Sequence, residues 1–101
     1  MIIVVVNFKI PPDLNHNSIK SKFEETAPMY LDCKGLTKKN YIIDIENKVA
    51  GGIYHFDNIV NARNWFNEER LQYLSNRYSK PNVLFYENPI IVDNLKGQII
   101  K

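Results

Sequence analysis

The sequence predicts an α+β fold of the ferredoxin-like kind, β-α-β-β-α-β, in which a four-stranded antiparallel sheet carries its helices on one face. Three observations lead there. Apolar residues fill both alternating sets of positions from Ile2 to Phe8, apart from Asn7, which marks a strand covered on both sides. Two later segments repeat apolar residues at helical spacing, and each is followed by a strand-like run. The 101 residues, 45% of them hydrophobic, suit one domain spanning residues 1–101.

The first strand is expected to end at Pro11-Pro12, because proline donates no N–H to a β-ladder. From about Asn15 onward, Ile19, Phe23, Ala27 and Tyr30 recur at helical intervals with Lys20, Lys22, Glu24 and Glu25 between them. This predicts an amphipathic helix, capped by Asn17 or Ser18. Pro28 removes the N–H that would bond the Glu24 carbonyl, so a kink or early stop is expected there. After Gly35, the stretches Leu36 to Glu46 and Val49 to Phe56 read as a hairpin turning around Glu46 to Lys48. Gly51-Gly52 inside its second strand implies a bulge, or the close approach of another backbone or a ligand.

Asp57 or Asn58 is placed to cap the next helix, whose apolar stripe of Ile59, Ala62 and Phe66 slips in phase before Leu71, Leu74 and Tyr78. The slip predicts a kinked helix, or two consecutive helices, jointed at Asn67 to Glu69. The last strand is predicted over Val83 to Val92, with Pro89 arguing for an edge position or a bulge. Helices on one side would cover half of a sheet whose first strand is apolar on both. The other half would be a large exposed apolar surface, so two sheets packed face to face in a homodimer are expected.

Composition removes several classes of function. Lys and Arg total 13 against 11 Asp and Glu, a dispersed net charge of +2 that makes no electrostatic case for nucleic acid or an anionic membrane. No segment approaches the roughly 20 apolar residues of a membrane-spanning helix. Met1 to Val6 lacks a basic leader and runs into Asn7 and Lys9, so it reads as a strand and not as a signal. Cys33 is the sole cysteine, which rules out an intrachain disulfide and a multi-cysteine zinc site and points to a reducing, cytoplasmic setting.

Chemistry-bearing signatures are sparse. There is no phosphate-binding glycine loop, no G-x-S-x-G and no H-E-x-x-H. His16 and His55 have no carboxylate or second imidazole at ligand spacing, so no metal site is expected. His55, beside Tyr54, is the best-placed imidazole for proton transfer if a pocket lies there. Trp65 and Phe66 are either core or the wall of a ligand pocket. Tyr41 and Tyr54 bring phenols to apolar strands where an unpaired OH is costly to bury. Asn7 either closes the sheet or points into a cavity.

The segment Gly35-Leu36, Lys39, Tyr41, Ala50-Gly51-Gly52-Ile53-Tyr54-His55-Phe56 and Ala62 resembles the YdhR-like monooxygenase family, differing from it in Tyr41, where a tryptophan is usual. The resemblance implies a dimeric α/β barrel. It also implies oxidation of a small aromatic or polyphenolic substrate, bound between sheet and helices, without metal or flavin. An electron-rich phenol can itself pass an electron to dioxygen, leaving the protein to bind, deprotonate and shield it. On that reading His55, Tyr54 and Lys39 are the catalytic candidates, with His55 or Lys39 as proton acceptor. Asn7, Tyr41, Trp65 and Phe66 are then the substrate-binding candidates. A haem-degrading relative would need an axial histidine after Trp65, and Glu68 to Arg77 contains none. The alternative is a non-catalytic dimer of the same fold that binds a small molecule or has a filled interior.

Overall fold

A computed structural model describes residues Met1–Lys101. The chain folds as β1 (Ile2–Lys9), α1 (His16–Thr26), a 3-10 helix (Ala27–Asp32), β2 (Leu36–Asp44), β3 (Val49–Phe56), α2 (Ile59–Trp65), α3 (Glu68–Arg77), β4 (Asn82–Glu87), β5 (Ile91–Asp93) and β6 (Gln98–Ile100). The first four strands make one antiparallel sheet in the order β2-β3-β1-β4, which is the expected ferredoxin-like arrangement.

Local chemistry sets the helix ends. Asn15 caps α1, slightly earlier than Asn17 or Ser18: its side chain accepts the Ser18 N–H at 2.9 Å while the Ser18 hydroxyl accepts the Asn15 N–H at 2.8 Å. Regular α-helix stops at Thr26, and the chain passes Pro28 as a 3-10 helix. Asn58 and Asn67 each accept an N–H three residues on, so the phase slip between Phe66 and Leu71 is a true joint between two capped helices.

The final segment differs from the predicted single strand over Val83 to Val92. β4 ends at Glu87, Asn88-Pro89 breaks the ladder, and β5 pairs with β6 in a separate two-stranded hairpin. The Asn88 N–H still donates to the Met1 carbonyl at 2.8 Å, and Pro89, which offers no N–H to a ladder, follows that last contact with the first strand. Gly97, at φ 63°, supplies the left-handed residue of the new turn.

Strand alternation sorts the side chains. Val4, Val6 and Phe8, with Ala50, Tyr54 and Phe56 beside them, are buried under Ile19, Phe23, Tyr30, Ala62, Phe66 and Leu74 from the helices. The opposite set, Ile3, Val5, Ile53, Leu84 and Tyr86, shares one register row after another on the far face and stays partly open, with Leu84 39% and Tyr86 51% exposed. No helix is long and apolar enough to cross a membrane.

Candidate functional site

The helix-covered face of β2 and β3 gathers the polar groups of the interior. Lys39 lies across from Tyr54 and Tyr41 across from Gly52, so all three side chains leave the sheet toward the helices. Above them stands Tyr30, brought over the sheet by the 3-10 helix that Pro28 enforces. The Lys39 Nζ sits 3.5 Å from the Tyr30 ring centre, 3.7 Å from that of Tyr41 and 4.5 Å from that of Tyr54. Three aromatic faces thus surround one amine.

Gly52 makes this arrangement fit. A Cβ there would come within 3.1 Å of the Lys39 Cε and 3.0 Å of the Tyr54 ring, so the missing side chain is the space through which the lysine stem passes. Gly51 is needed for a different reason. A Cβ on it would overlap the Val6 carbonyl, so glycine lets β1 and β3 approach. The paired glycines therefore admit both a backbone and a side chain.

Beyond Lys39 lies a cavity of about 20 Å³, room for roughly one water, with Phe23, Thr26, Tyr73, Arg77 and Tyr78 among its walls. The Tyr41 hydroxyl and the Thr26 hydroxyl are 2.9 Å apart, and Phe23 packs on the Tyr41 ring at 4.5 Å. Arg77 donates to Glu25 at 2.9 Å and to the Lys22 carbonyl at 2.8 Å, tying α3 to α1 over the cavity. Arg70 lies over the Trp65 ring at 4.0 Å and over Tyr73 at 5.1 Å, on the outer side of the helices.

Burial dominates the electrostatics. It pushes the Lys39 amine down to about 6, with the Arg70 cation adding to the effect, so the group holds its lone pair at neutral pH. The three ring faces act against this by favouring the ammonium. Burial moves the phenols the other way: Tyr41 is raised to about 12, partly offset by its bond to Thr26, while Tyr54 and Tyr30 are both raised above the ordinary phenol range. One amine able to accept a proton thus stands among phenols that keep theirs.

Of the residues singled out from the sequence, Lys39, Tyr41 and Tyr54 meet at this site and the others do not. His55 follows Tyr54, so strand alternation turns it to the far face of the sheet. There it lines a groove with Ile3, Lys38, Ile91, Asp93 and Ile100, and burial followed by the Lys38 charge lowers its pKa. Asn7 is half-buried on that same far face, in register with Gly51 and Asn82. Phe66 is core, 4.9 Å from the Tyr54 ring, and does not reach the cavity. Trp65 backs Tyr30 edge-on at 5.5 Å and opens on a shallow outer groove with Asn64, Glu69 and Arg70. Tyr30, Thr26, Arg77 and Tyr78 were not foreseen as site residues, since Tyr30 and Tyr78 sit on helical stripes that read as core.

No cluster of three or more His, Cys, Asp or Glu side chains forms. No family model matches the chain, and no curated protein matches its sequence. Among solved structures, the chain is similar to a protein of Deinococcus radiodurans described as a "putative antibiotic biosynthesis monooxygenase". The superposition has a TM-score of 0.69 at 12% identity, over 92% of this chain and 97% of that one. The likeness establishes a shared fold with that protein.

Proposed function

We propose that this chain is a homodimeric, cofactor-independent monooxygenase of the YdhR-like kind, acting on a small aromatic or polyphenolic substrate bound between sheet and helices. The observation that carries the reading is the Lys39 amine enclosed by the faces of Tyr30, Tyr41 and Tyr54, where burial lowers its pKa to about 6. In this reading Lys39 replaces His55 as the proton acceptor, because it faces the helix-covered interior. It takes the proton of a phenolic OH, and the phenolate passes an electron to dioxygen. One oxygen atom ends in the ring as a quinone carbonyl and the other in water, with the substrate supplying the electrons. Tyr41 and Tyr54 offer ring faces for stacking, and their raised pKa values keep them as hydrogen-bond donors.

Supporting considerations are the fold shared with a protein described as a monooxygenase and the likeness of Gly35 to Ala62 to the YdhR-like pattern. The half-open far face of Ile3, Val5, Ile53, Leu84 and Tyr86 suits a second copy of the chain. The reading takes residues 1–101 as one domain in the cytoplasm, where the free, buried Cys33 stays reduced.

One observation favours a second reading, a dimer of the same fold without catalytic activity: the cavity holds about 20 Å³, far less than a polyphenol needs. Oxygen uptake over a panel of quinols and polyphenols separates the two. Turnover that disappears in Lys39→Met supports the oxygenase, whereas ligand-induced thermal shifts with no oxygen consumed support the binding protein.

A further inference from the structure

Tyr30, Lys39 and Tyr41 belong to two spaces at once. They wall the inner cavity, and they also form the floor of an open groove of about 350 Å³ between the 3-10 helix and β2, completed by Ala27, Leu31, Leu36, Thr37 and Lys38. The Lys39 stem is therefore the partition between the outside of the molecule and its aromatic interior. Neither space is lined by an aspartate or a glutamate, while Lys38, Lys39 and Arg77 line them. Glu25, exposed on α1, is already held by Arg77 at 2.9 Å. Lys39 is left with ring faces for neighbours and no carboxylate.

We propose that the space Lys39 fills is the binding site of an aromatic anion, an aryl carboxylate or an ionised phenol, which enters by the groove between the 3-10 helix and β2 and draws the Lys39 amine, protonated from water or from the ligand's own acidic group as it binds, into an ion pair. The proposal deepens the aromatic-ligand reading above and rests on it. Three considerations carry it. The flat faces of Tyr30, Tyr41 and Tyr54 that now meet the amine suit an arene equally well, in stacked or edge-on contact. An anion is the partner that the charge distribution lacks: a cation would meet Lys38 and Arg77 as like charges, and a neutral arene would leave the displaced amine unpaired. The plug can also move, since its stem turns about ordinary staggered torsions and Gly52 beneath it presents no side chain in the way.

Calorimetric titration of the full chain at pH 7 tests this with four probes: benzoate, 4-nitrophenol, benzamide and benzyltrimethylammonium. Benzoate or 4-nitrophenol is expected to bind at least tenfold more tightly than benzamide, and the quaternary ammonium weakest of all. Whichever anion leads identifies the carboxylate or the phenol as the preferred source. Lys39→Met should erase the tenfold preference, and Lys34→Met, which removes an exposed charge outside both spaces, should keep it. The proposal is overturned if benzamide binds as well as the anions, if the quaternary ammonium leads, if Lys39→Met changes nothing, or if no probe binds at millimolar concentration. Should Lys39→Met not fold, the order of the four probes on the unaltered chain decides. Because the titration consumes no oxygen, ordered binding with a negative oxygen-uptake panel would keep the site and remove the catalysis, and turnover without this order would do the reverse.

Discussion

Gly52 and Lys39 are complementary: the lysine Cε runs 3.1 Å from where a Cβ on the glycine would stand, closer than ordinary contact. The neighbouring Gly51 faces a carbonyl of β1, and that difference sets two different costs. Gly52→Ala presses on a flexible stem and the edge of a ring, and should lose no more than about 1–2 kcal/mol while shifting Lys39. Gly51→Ala drives into the Val6 backbone and should lose more than about 3 kcal/mol or fail to fold. Urea unfolding of the two variants checks the ranking, and equal effects would contradict it.

The buried amine gives stability a pH signature. An unfolded lysine titrates near 10.5, and in the folded chain burial brings Lys39 to about 6. Between those values the unfolded chain binds the extra proton, so stability rises with pH, by at most about 1.4 kcal/mol per unit. The gain is complete above the unfolded value and is lost as pH falls through the folded one. The ring faces, which favour the ammonium, raise the lower end of that window and so narrow it. The difference in unfolding free energy between the unaltered chain and Lys39→Met should climb from pH 6.5 to 9, and a flat difference would show that the amine stays charged.

Tyr41 reaches Thr26 at 2.9 Å, while Thr26 also donates toward the Phe23 carbonyl at 3.2 Å. Tyr41→Phe therefore leaves the threonine satisfied and should cost about 1 kcal/mol. Thr26→Val strands a half-buried phenol and should cost more, on the order of 1–3 kcal/mol. Chemical denaturation of both variants measures the order.

A charge on the far face should separate a pair of subunits. Val5 lies between Ile53 and Leu84 on that face, and burying each such side chain against a second copy contributes about 1.5–3 kcal/mol. Light scattering at micromolar concentration is expected to give twice the 11.8 kDa chain mass, and the single mass for Val5→Lys. A monomeric unaltered chain would refute the dimer.

The indole N–H of Trp65 is buried without a hydrogen-bond partner. Trp65→Phe removes an unsatisfied donor along with some packing against Tyr30, so its melting temperature should change little. A loss of more than about 3 kcal/mol would mean that the tryptophan supports the site more than its contacts indicate.

Hydrophobic periodicity by itself determined the order of the four sheet strands and the helices between them, the joint at Asn67 to Glu69 and the two-faced first strand, because those follow from which side chains avoid water at intervals of two or of three and four, while the split of the last segment into β4 and the β5-β6 hairpin was not legible in it. The glycine pair announced a close approach without naming what approaches. Only the tertiary structure decided that the approaching groups are the Val6 backbone and the Lys39 stem, that His55 looks away from the interior while Tyr54 looks into it, and that Tyr30 and Arg77 join the site. Those outcomes depend on register and on how helices lie over the sheet. Such contacts join residues far apart along the chain, and no local pattern encodes which partner a side chain will meet.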